Sequence, residues 1–403
     1  MSSKRVLIVS ECFFPENFMV NDLAETWVQQ GKFVEVLTRV PSYPFGKVFA
    51  GYTNKIYQKE RKGEITIHRV QTIEGYRESV KVKVLNYIWN AILASVVAIR
   101  IGKRFDQIFI YQTGPLTFSA AGIIIKKIHH IPVTIWTQDI WPDSVYAFGF
   151  KEKGIKKWML DRFVSWVYTN CDHILVSCKG FETKIKKFTT GGLINYVPNW
   201  ALLEESCSQD MYVGFRRGIN FTFTGNVGKM QNLENVILGF EKFTESRPEI
   251  SCYLNIIGDG SHLEKLKILC QENNYQNVIF YGRKPLNLMI AFFNESDVLV
   301  LSLIDSPIFS ITVPAKFQTY LTARKPIFGI IKGDAKQLID DNGIGFTASP
   351  SDVNSIAEGF KKFIDLTNED KKQMAGKSNH LLESEFDRNT IINKITKVVF
   401  SDP

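Results

Sequence analysis

The sequence predicts an α/β chain of two doubly wound, Rossmann-like domains facing a central cleft. Three observations lead there. Short apolar runs alternate with segments of helical periodicity in both halves, the βαβ rhythm of parallel sheets joined by right-handed crossovers. The rhythm stops once, at Tyr196–Trp200 (YVPNW), where Pro198 interrupts local structure, and then restarts. Strand after strand ends in a polar or glycine-bearing loop, and open parallel sheets hold ligands at their carboxyl ends. The expected domains are residues 1–198 and 199–385, with a tail at 386–403.

In the first half, Arg5–Ser10 reads as a strand, followed by the loop Glu11–Asn17. A helix comes next, with Val20, Leu23, Ala24, Trp27 and Val28 on one face and Gly31 at its C-terminal cap. Phe33–Thr38, Asp106–Tyr111, Pro132–Thr137 and His173–Ser177 are further strands. In the second half, Ile219–Thr224, Cys252–Ile257, Val278–Tyr281, Val298–Leu301 and Ile327–Ile330 alternate with helices. Ser261 and Glu264 have the spacing of a capping box after Gly258-Asp259-Gly260. The tail places Ile391, Ile392, Ile395, Val398 and Val399 at helical spacing and needs a surface to cover, for which the first half is the candidate.

Composition narrows the class. Of 403 residues, 45% are hydrophobic and 22% charged, which excludes a disordered chain. A net charge of +8 suits an anionic partner: nucleic acid, an anionic membrane surface or a phosphorylated substrate. Six cysteines without CxxC spacing read as free thiols of a reducing cytosol. Lys4 and Arg5 precede only a short apolar run, so no signal peptide is expected. No stretch reaches a membrane span of about 18 apolar residues. Two stretches have the mixture of an interfacial helix: Leu85–Ile99, flanked by Lys81, Lys83, Arg100, Lys103 and Arg104, and Lys151–Trp166, where lysines mix with Trp158, Met159, Leu160 and Phe163. The plain alternative is a core-facing helix with solvated basic flanks.

The segment Phe221–Phe243 is the strongest chemical signal. A strand (FTFTG) runs into the turn Gly225-Asn226-Val227-Gly228, then Lys229, then a helix with Leu233, Val236, Ile237 and Phe240 on one face. Such a turn directs backbone N–H groups and a helix dipole at a bound anion, and Lys229 adds a full charge, an arrangement suited to a diphosphate. An ordinary βα turn with a solvated lysine is the alternative. There is no HExxH, GxSxG or GxGxxG, and His129-His130 reads as a surface pair, so no metal site is expected. Two doubly wound halves with phosphate-type turns point to a nucleotide-activated substrate.

Seven pieces in fixed order then give a family resemblance over nearly the whole chain: PENF (Pro15–Phe18), YPFGKVFAGY (Tyr43–Tyr52), QDIWPDS (Gln138–Ser144), VPNW (Val197–Trp200), TGNVGKMQNLE (Thr224–Glu234), IGDG (Ile257–Gly260) and TVPAKFQTYLTARKP (Thr312–Pro326). The chain resembles the GT-B glycosyltransferases of family 4, in particular the bacterial branch of L-fucosamine (L-FucNAc) transferases of O-antigen and capsule synthesis. The resemblance implies an acceptor-binding first domain, a nucleotide-sugar-binding second domain and a C-terminal helix that crosses back to the first. It implies a UDP-sugar donor, a polyprenyl-diphosphate-linked saccharide acceptor, retention of configuration, and no metal or cofactor. The setting it implies is the cytoplasmic face of the membrane, as a peripheral protein.

Residue by residue, it implies that Lys229 holds the diphosphate. Asn226 stands where many relatives carry arginine, and Lys316, after Pro314, is placed to supply the missing cation. Thr312 and Thr319 stand where the family's EX7E glutamates usually lie. Gly228 and Gly258 belong to the phosphate-side turns, and Gly282 and Arg283 to the loop that contacts the base. Glu16 and Asn17 face the diphosphate and sugar, Asp139 orients acceptor or sugar as the best candidate for a catalytic polar group, and Thr113 and Gly114 form the neighbouring wall. Two other readings stay open. One is a UDP-sugar 2-epimerase, with His262 the only histidine near a matched motif. The other is a catalytically silent partner that binds nucleotide sugar or lipid, motivated by Thr312 and Thr319. A nucleic-acid partner is not expected, since no basic-aromatic recognition module appears. The sequence sets no oligomeric state.

Overall fold

The computed structural model describes residues 4–76, 78–147, 152–201 and 213–401. The chain divides into two compact units: Met1–Pro198 together with Asn389–Pro403, and Asn199–Arg388.

The first unit is built on an eight-stranded sheet in the order β3-β4-β2-β1-β5-β6-β7-β8. Its strands are β1 (Arg5–Ser10), β2 (Phe33–Arg39), β3 (Tyr57–Lys62), β4 (Ile65–Val70), β5 (Gln107–Gln112), β6 (Val133–Thr137), β7 (His173–Val176) and β8 (Leu193–Tyr196). All neighbours are parallel except β3–β4, an antiparallel hairpin at the edge. Sequence periodicity misses β3 because YQKERK offers no buried apolar residue; it is an exposed edge strand of alternating charge. The direction of winding reverses at β1. From β1 the chain steps to β2 on one side and later to β5 on the other, which puts the topological switch point between β1 and β5.

Winding direction also assigns helices to faces. The helices Val80–Ile101 (β4 to β5), Ala120–His129 (β5 to β6) and Gly154–Thr169 (β6 to β7) all cross in the same direction and so cover one face. The helix Met19–Gln29 crosses the other way and covers the opposite face. It ends at the left-handed Gly31, with φ of 77°. There the C-terminal helix Arg388–Phe400 joins it: Trp27 Nε1 donates to Thr396 Oγ1 at 2.8 Å, and the rings of Trp27 and Phe400 meet edge-on at 5.2 Å.

The second unit carries a six-stranded parallel sheet, β11-β10-β9-β12-β13-β14, from β9 (Ile219–Thr224), β10 (Cys252–Ile257), β11 (Val278–Gly282), β12 (Val298–Ser302), β13 (Ile327–Ile330) and β14 (Gly345–Ala348). Its switch point lies between β9 and β12. The helices Leu233–Ser246 and Val353–Ile364 pack so closely that a Cβ on Gly239 would lie 2.4 Å from Ile356 Cγ2. Phe360 is the centre of this layer. Its ring lies 4.9 Å from Phe221, 5.2 Å from Phe240 and 4.8 Å from Phe328, mostly edge to face.

One local expectation is corrected. Ser261 and Glu264 form no capping box: the helix Leu263–Glu272 starts after His262, with no side-chain cap. The preceding turn is held by its neighbour instead, since His262 N–H donates to Val227 O at 3.0 Å. Lys151, at the start of one predicted interfacial stretch, lies outside the described residues.

Phe360→Ala is expected to destabilise the second unit by ~3–5 kcal/mol, since a buried aromatic leaves a cavity that its neighbours fill only in part. A fall in the urea midpoint of that unit checks this; an unchanged midpoint would contradict the assigned core.

Candidate active site

In the second unit the candidate site grows from two glycine turns pressed together. After β9, Gly225 N–H donates to Ile257 O at 2.8 Å. After β10, a Cβ on Gly258 would sit 1.8 Å from Gly225 O, so only glycine permits the approach. Gly258 N–H in turn donates to Gly282 O, at the end of β11 and just before the exposed Arg283, at 2.9 Å. The carboxyl ends of β9, β10 and β11 are thereby laced by backbone.

The turn differs from the simple strand-to-helix phosphate cradle in two ways. Its N–H groups are largely occupied: Val227 N–H donates to Asp259 O at 2.9 Å and Gly228 N–H to Gln231 Oε1 at 3.0 Å. Asn226 Nδ2 also donates to Gln231, at 3.2 Å. In addition, a single 3-10 turn, Lys229–Gln231, and a left-handed Asn232 come before the helix Leu233–Ser246. The helix N-terminus is therefore displaced from the glycines, and its dipole is not aimed through them. What remains for an anion is cationic side chains. Lys229 is exposed on the 3-10 turn and makes no ion pair among the described residues.

The second cation is Lys316. The short helix Lys316–Thr322 is fixed by Tyr320, whose hydroxyl accepts from Thr224 N–H at 3.0 Å and donates to Val300 O at 3.2 Å. Tyr320 thus bridges β9 and β12 at the switch point. Lys316 lies one helical turn earlier, on the same face. Its Nζ lies 3.8 Å from the centre of the Phe223 ring and 3.2 Å from where a Gly225 Cβ would be. The Nζ is buried with no hydrogen-bond partner, and burial pulls the ammonium down to about 7. Thr312 Oγ1 bonds back to Ile308 O at 2.7 Å, while Thr319 is half-buried on the same short helix as Lys316. Tyr320 was not singled out from the sequence; its spacing of four from Lys316 is the signal that places it.

In the first unit, β2, β1, β5 and β6 present Arg39, Glu11, Thr113-Gly114 and Asp139 in sheet order. Glu16 is enclosed by the loops around it. It is 4% exposed, its Oε1 accepts from Ser42 N–H at 2.9 Å and Tyr43 N–H at 2.6 Å, and Arg39 Nη2 lies 3.4 Å away. Asn17 beside it is exposed. Glu11, five residues earlier and overlooked in the sequence, is the carboxylate at the switch point. Arg39 Nε donates to its Oε1 at 3.3 Å, and its Oε2 occupies the space over Gly114, 2.5 Å from where a Cβ would be. Burial raises the Glu11 carboxyl, with Arg39 opposing. Gly114 is held by Gln112 Nε2, which donates to its carbonyl at 2.9 Å. Asp139 is pushed by burial up to about 7, with Ser144, Ile140 and Trp141 opposing. It can therefore exchange a proton near neutrality.

Two cavities lie elsewhere. One of about 480 Å³ adjoins the β3–β4 hairpin, and one of about 300 Å³ flanks Cys270 and Tyr275. Neither is lined by the switch-point residues, whose chemistry is the better guide. Among the described residues no group of His, Cys, Asp and Glu could hold a metal ion.

The buried Lys316 has a consequence for stability. Between about pH 7 and 10.5 the unfolded chain binds a proton at Lys316 that the folded chain does not, so this residue's contribution makes wild-type stability rise with pH. Lys316→Met is expected to raise the melting temperature of the second unit near neutral pH, with a gain that shrinks towards the upper end of that window. Thermal unfolding across the window checks it; a melting temperature unchanged by the substitution would contradict the burial.

Comparison with known proteins bears on the fold and the family. Residues 217–380, which contain both lysines, match the family model "Glycosyl transferases group 1". The probable glycosyltransferase WbjE of Pseudomonas aeruginosa is 23% identical over 331 residues, 78% of this chain and 79% of that protein. The putative colanic acid biosynthesis glycosyl transferase WcaI of Escherichia coli (strain K12) is 23% identical over 291 residues, 68% of this chain and 70% of that protein. Among solved structures, "Trehalose-6-phosphate from E. coli bound with UDP-2-fluoro glucose" superposes with a TM-score of 0.75. It is 12% identical, and the match covers 99% of this chain and 100% of that one. That likeness shows the two-domain GT-B fold. The matches to glycosyltransferases also disfavour the 2-epimerase reading. The chain thus has the GT-B fold, carries a group 1 glycosyl transferase domain at residues 217–380, and is homologous to bacterial glycosyltransferases.

Proposed function

We propose that this chain is a retaining, metal-independent glycosyltransferase of bacterial polysaccharide synthesis. It moves an N-acetylated deoxyhexose, L-FucNAc, from UDP to a polyprenyl-diphosphate-linked saccharide in O-antigen or capsule synthesis, at the cytoplasmic face of the membrane. The observation that carries this reading is the buried, unpartnered Lys316 Nζ beside Gly225, with Lys229 on the adjacent turn, both inside the matched domain. The UDP-2-fluoro glucose bound by the solved neighbour supports a UDP donor, and the colanic acid assignment of WcaI supports a polysaccharide product.

In this reading the bond between the anomeric carbon and the diphosphate oxygen breaks, and negative charge grows on the departing UDP. Lys229 and Lys316 stabilise that charge as it develops, which lowers the barrier more than it tightens ground-state binding. The acceptor hydroxyl oxygen takes the anomeric carbon, and its proton passes to the leaving diphosphate. Asp139 orients the reacting hydroxyl or the sugar, and Glu11 and Gly114 shape the same edge of the first unit. Gly282 and Arg283 meet the base. Thr319 offers the ribose an uncharged hydroxyl in place of a carboxylate.

UDP release from a set of UDP-, GDP- and dTDP-sugars with a lipid-linked acceptor tests the assignment; the expected result is turnover with UDP-L-FucNAc. Nucleotide binding without turnover of any sugar would favour the silent-partner reading instead. Lys229→Ala is expected to reduce turnover ~100-fold, and near-normal rates would remove Lys229 from the diphosphate site. An anion beside Lys316 raises its pKa, so binding takes up a proton and weakens as pH rises above about 7. Calorimetry of a UDP-sugar in buffers of different ionisation enthalpy should show this uptake in wild type and not in Lys316→Met.

A further inference from the structure

The helix Val80–Ile101 is inside out for a helix in water. Its buried positions are Asn86, Asn90, Ala94, Val97 and Ala98. Its solvent side carries Leu85, Ile88, Ile92, Val96 and Ile99, each 42–55% exposed. The polar residues face inward for a reason: Asn86 Oδ1 accepts from Thr72 Oγ1 at 3.1 Å, Ile73 N–H at 2.7 Å and Asn90 Nδ2 at 3.2 Å, which ties the helix to the loop after β4. With the inner face fixed by those bonds, the apolar stripe can only face out. The residues recur at spacings of three and four, so the stripe is continuous from Leu85 to Ile99 of the 22-residue helix. By length and composition the helix could cross a membrane, yet its Asn-anchored inner face holds it flat on the unit.

The surroundings select the occupant. Lys81 stands at one end of the stripe and Arg100 and Lys103 at the other, all exposed and without ion pairs among the described residues. The helix contains no acidic residue, so a second copy would bring like charges together. On the same face of the sheet, the helix Gly154–Thr169 exposes Ile155, Trp158 and Met159 at 60–73%, beside the exposed Lys153 and Lys156. Apolar side chains between cations at two places on one face match the apolar and anionic layers of a lipid surface. We infer that this face of the first unit docks on an anionic bilayer, with the Val80–Ile101 helix lying in the interface plane and Ile155, Trp158 and Met159 as a second point of insertion. The inference rests on the helix faces and not on the transferase reading.

The test is co-sedimentation of the full chain with phosphatidylcholine vesicles, with and without phosphatidylglycerol, measured in the absence of any sugar substrate. Its failure is therefore separable from failure of the activity. The wild type should pellet with the anionic vesicles, and Leu85→Gln/Ile88→Gln/Ile92→Gln should lower the bound fraction roughly tenfold or more. Because these side chains are exposed, the variant should keep its melting temperature, which is measured alongside. Lys81→Glu/Lys103→Glu should weaken binding to anionic vesicles and little else. Wild type that stays in the supernatant, or a triple glutamine variant that pellets as well as wild type, overturns the proposal. So does a wild-type dimer in solution that the triple variant abolishes, since that assigns the stripe to a second copy.

Discussion

Everything at the second unit's candidate site depends on where one short helix is docked. Tyr320 reaches the opened seam between β9 and β12 and satisfies Thr224 N–H and Val300 O, backbone groups at which the two strands diverge. That hydrogen bonding sets the register of the helix, and the register puts the Lys316 ammonium over Phe223 and against Gly225. The lysine is then held where water and counter-charges are excluded, a costly position for the empty protein. A site that keeps a cation desolvated in advance has already met part of the reorganisation that a departing diphosphate would otherwise require.

The first unit reaches its own switch point by a different route. There the charges neutralise one another. Arg39 lies between Glu11 and Glu16, and its remaining donors go to Val40 O, Ser42 Oγ and Cys12 Sγ. The cluster fixes the loop after β1, leaving Glu11 Oε2 and Asp139 as the polar groups along the strand ends. The second unit's turn holds an unpaired cation, whereas burial raises both carboxyls at the first unit's strand ends.

Much of this was legible in the sequence because parallel strands buried on both faces announce themselves as apolar runs. Strands such as LIVS in β1 and FTFT in β9 fall where periodicity puts them. Strand β3 was hidden because an edge strand of charged residues looks like a loop. The site was legible in residue type more than in orientation. Glu11 and Glu16 share one loop, and only the folded position of Arg39 determines which carboxylate is enclosed. The 3-10 turn between Lys229 and the helix was not legible, since the left-handed Asn232, with φ of 55°, has no signature distinct from an ordinary asparagine. The closeness of Lys316 to Gly225 joins residues about 90 positions apart and arises from strand order together with the docking of Tyr320.

The return of the C-terminal helix to Trp27 has a consequence for how the chain is made. The first unit is synthesised first but completed last. The partner of Trp27, Thr396, lies 369 residues further along the chain. At about 5–20 residues per second, Trp27 waits roughly 20–70 s on the ribosome for it, long enough for the second unit to form in between. During that interval the face around Met19–Gln29 lacks the cover that the helix Arg388–Phe400 provides. The helix Arg388–Phe400 therefore closes the first unit only after the chain of the second unit has been made.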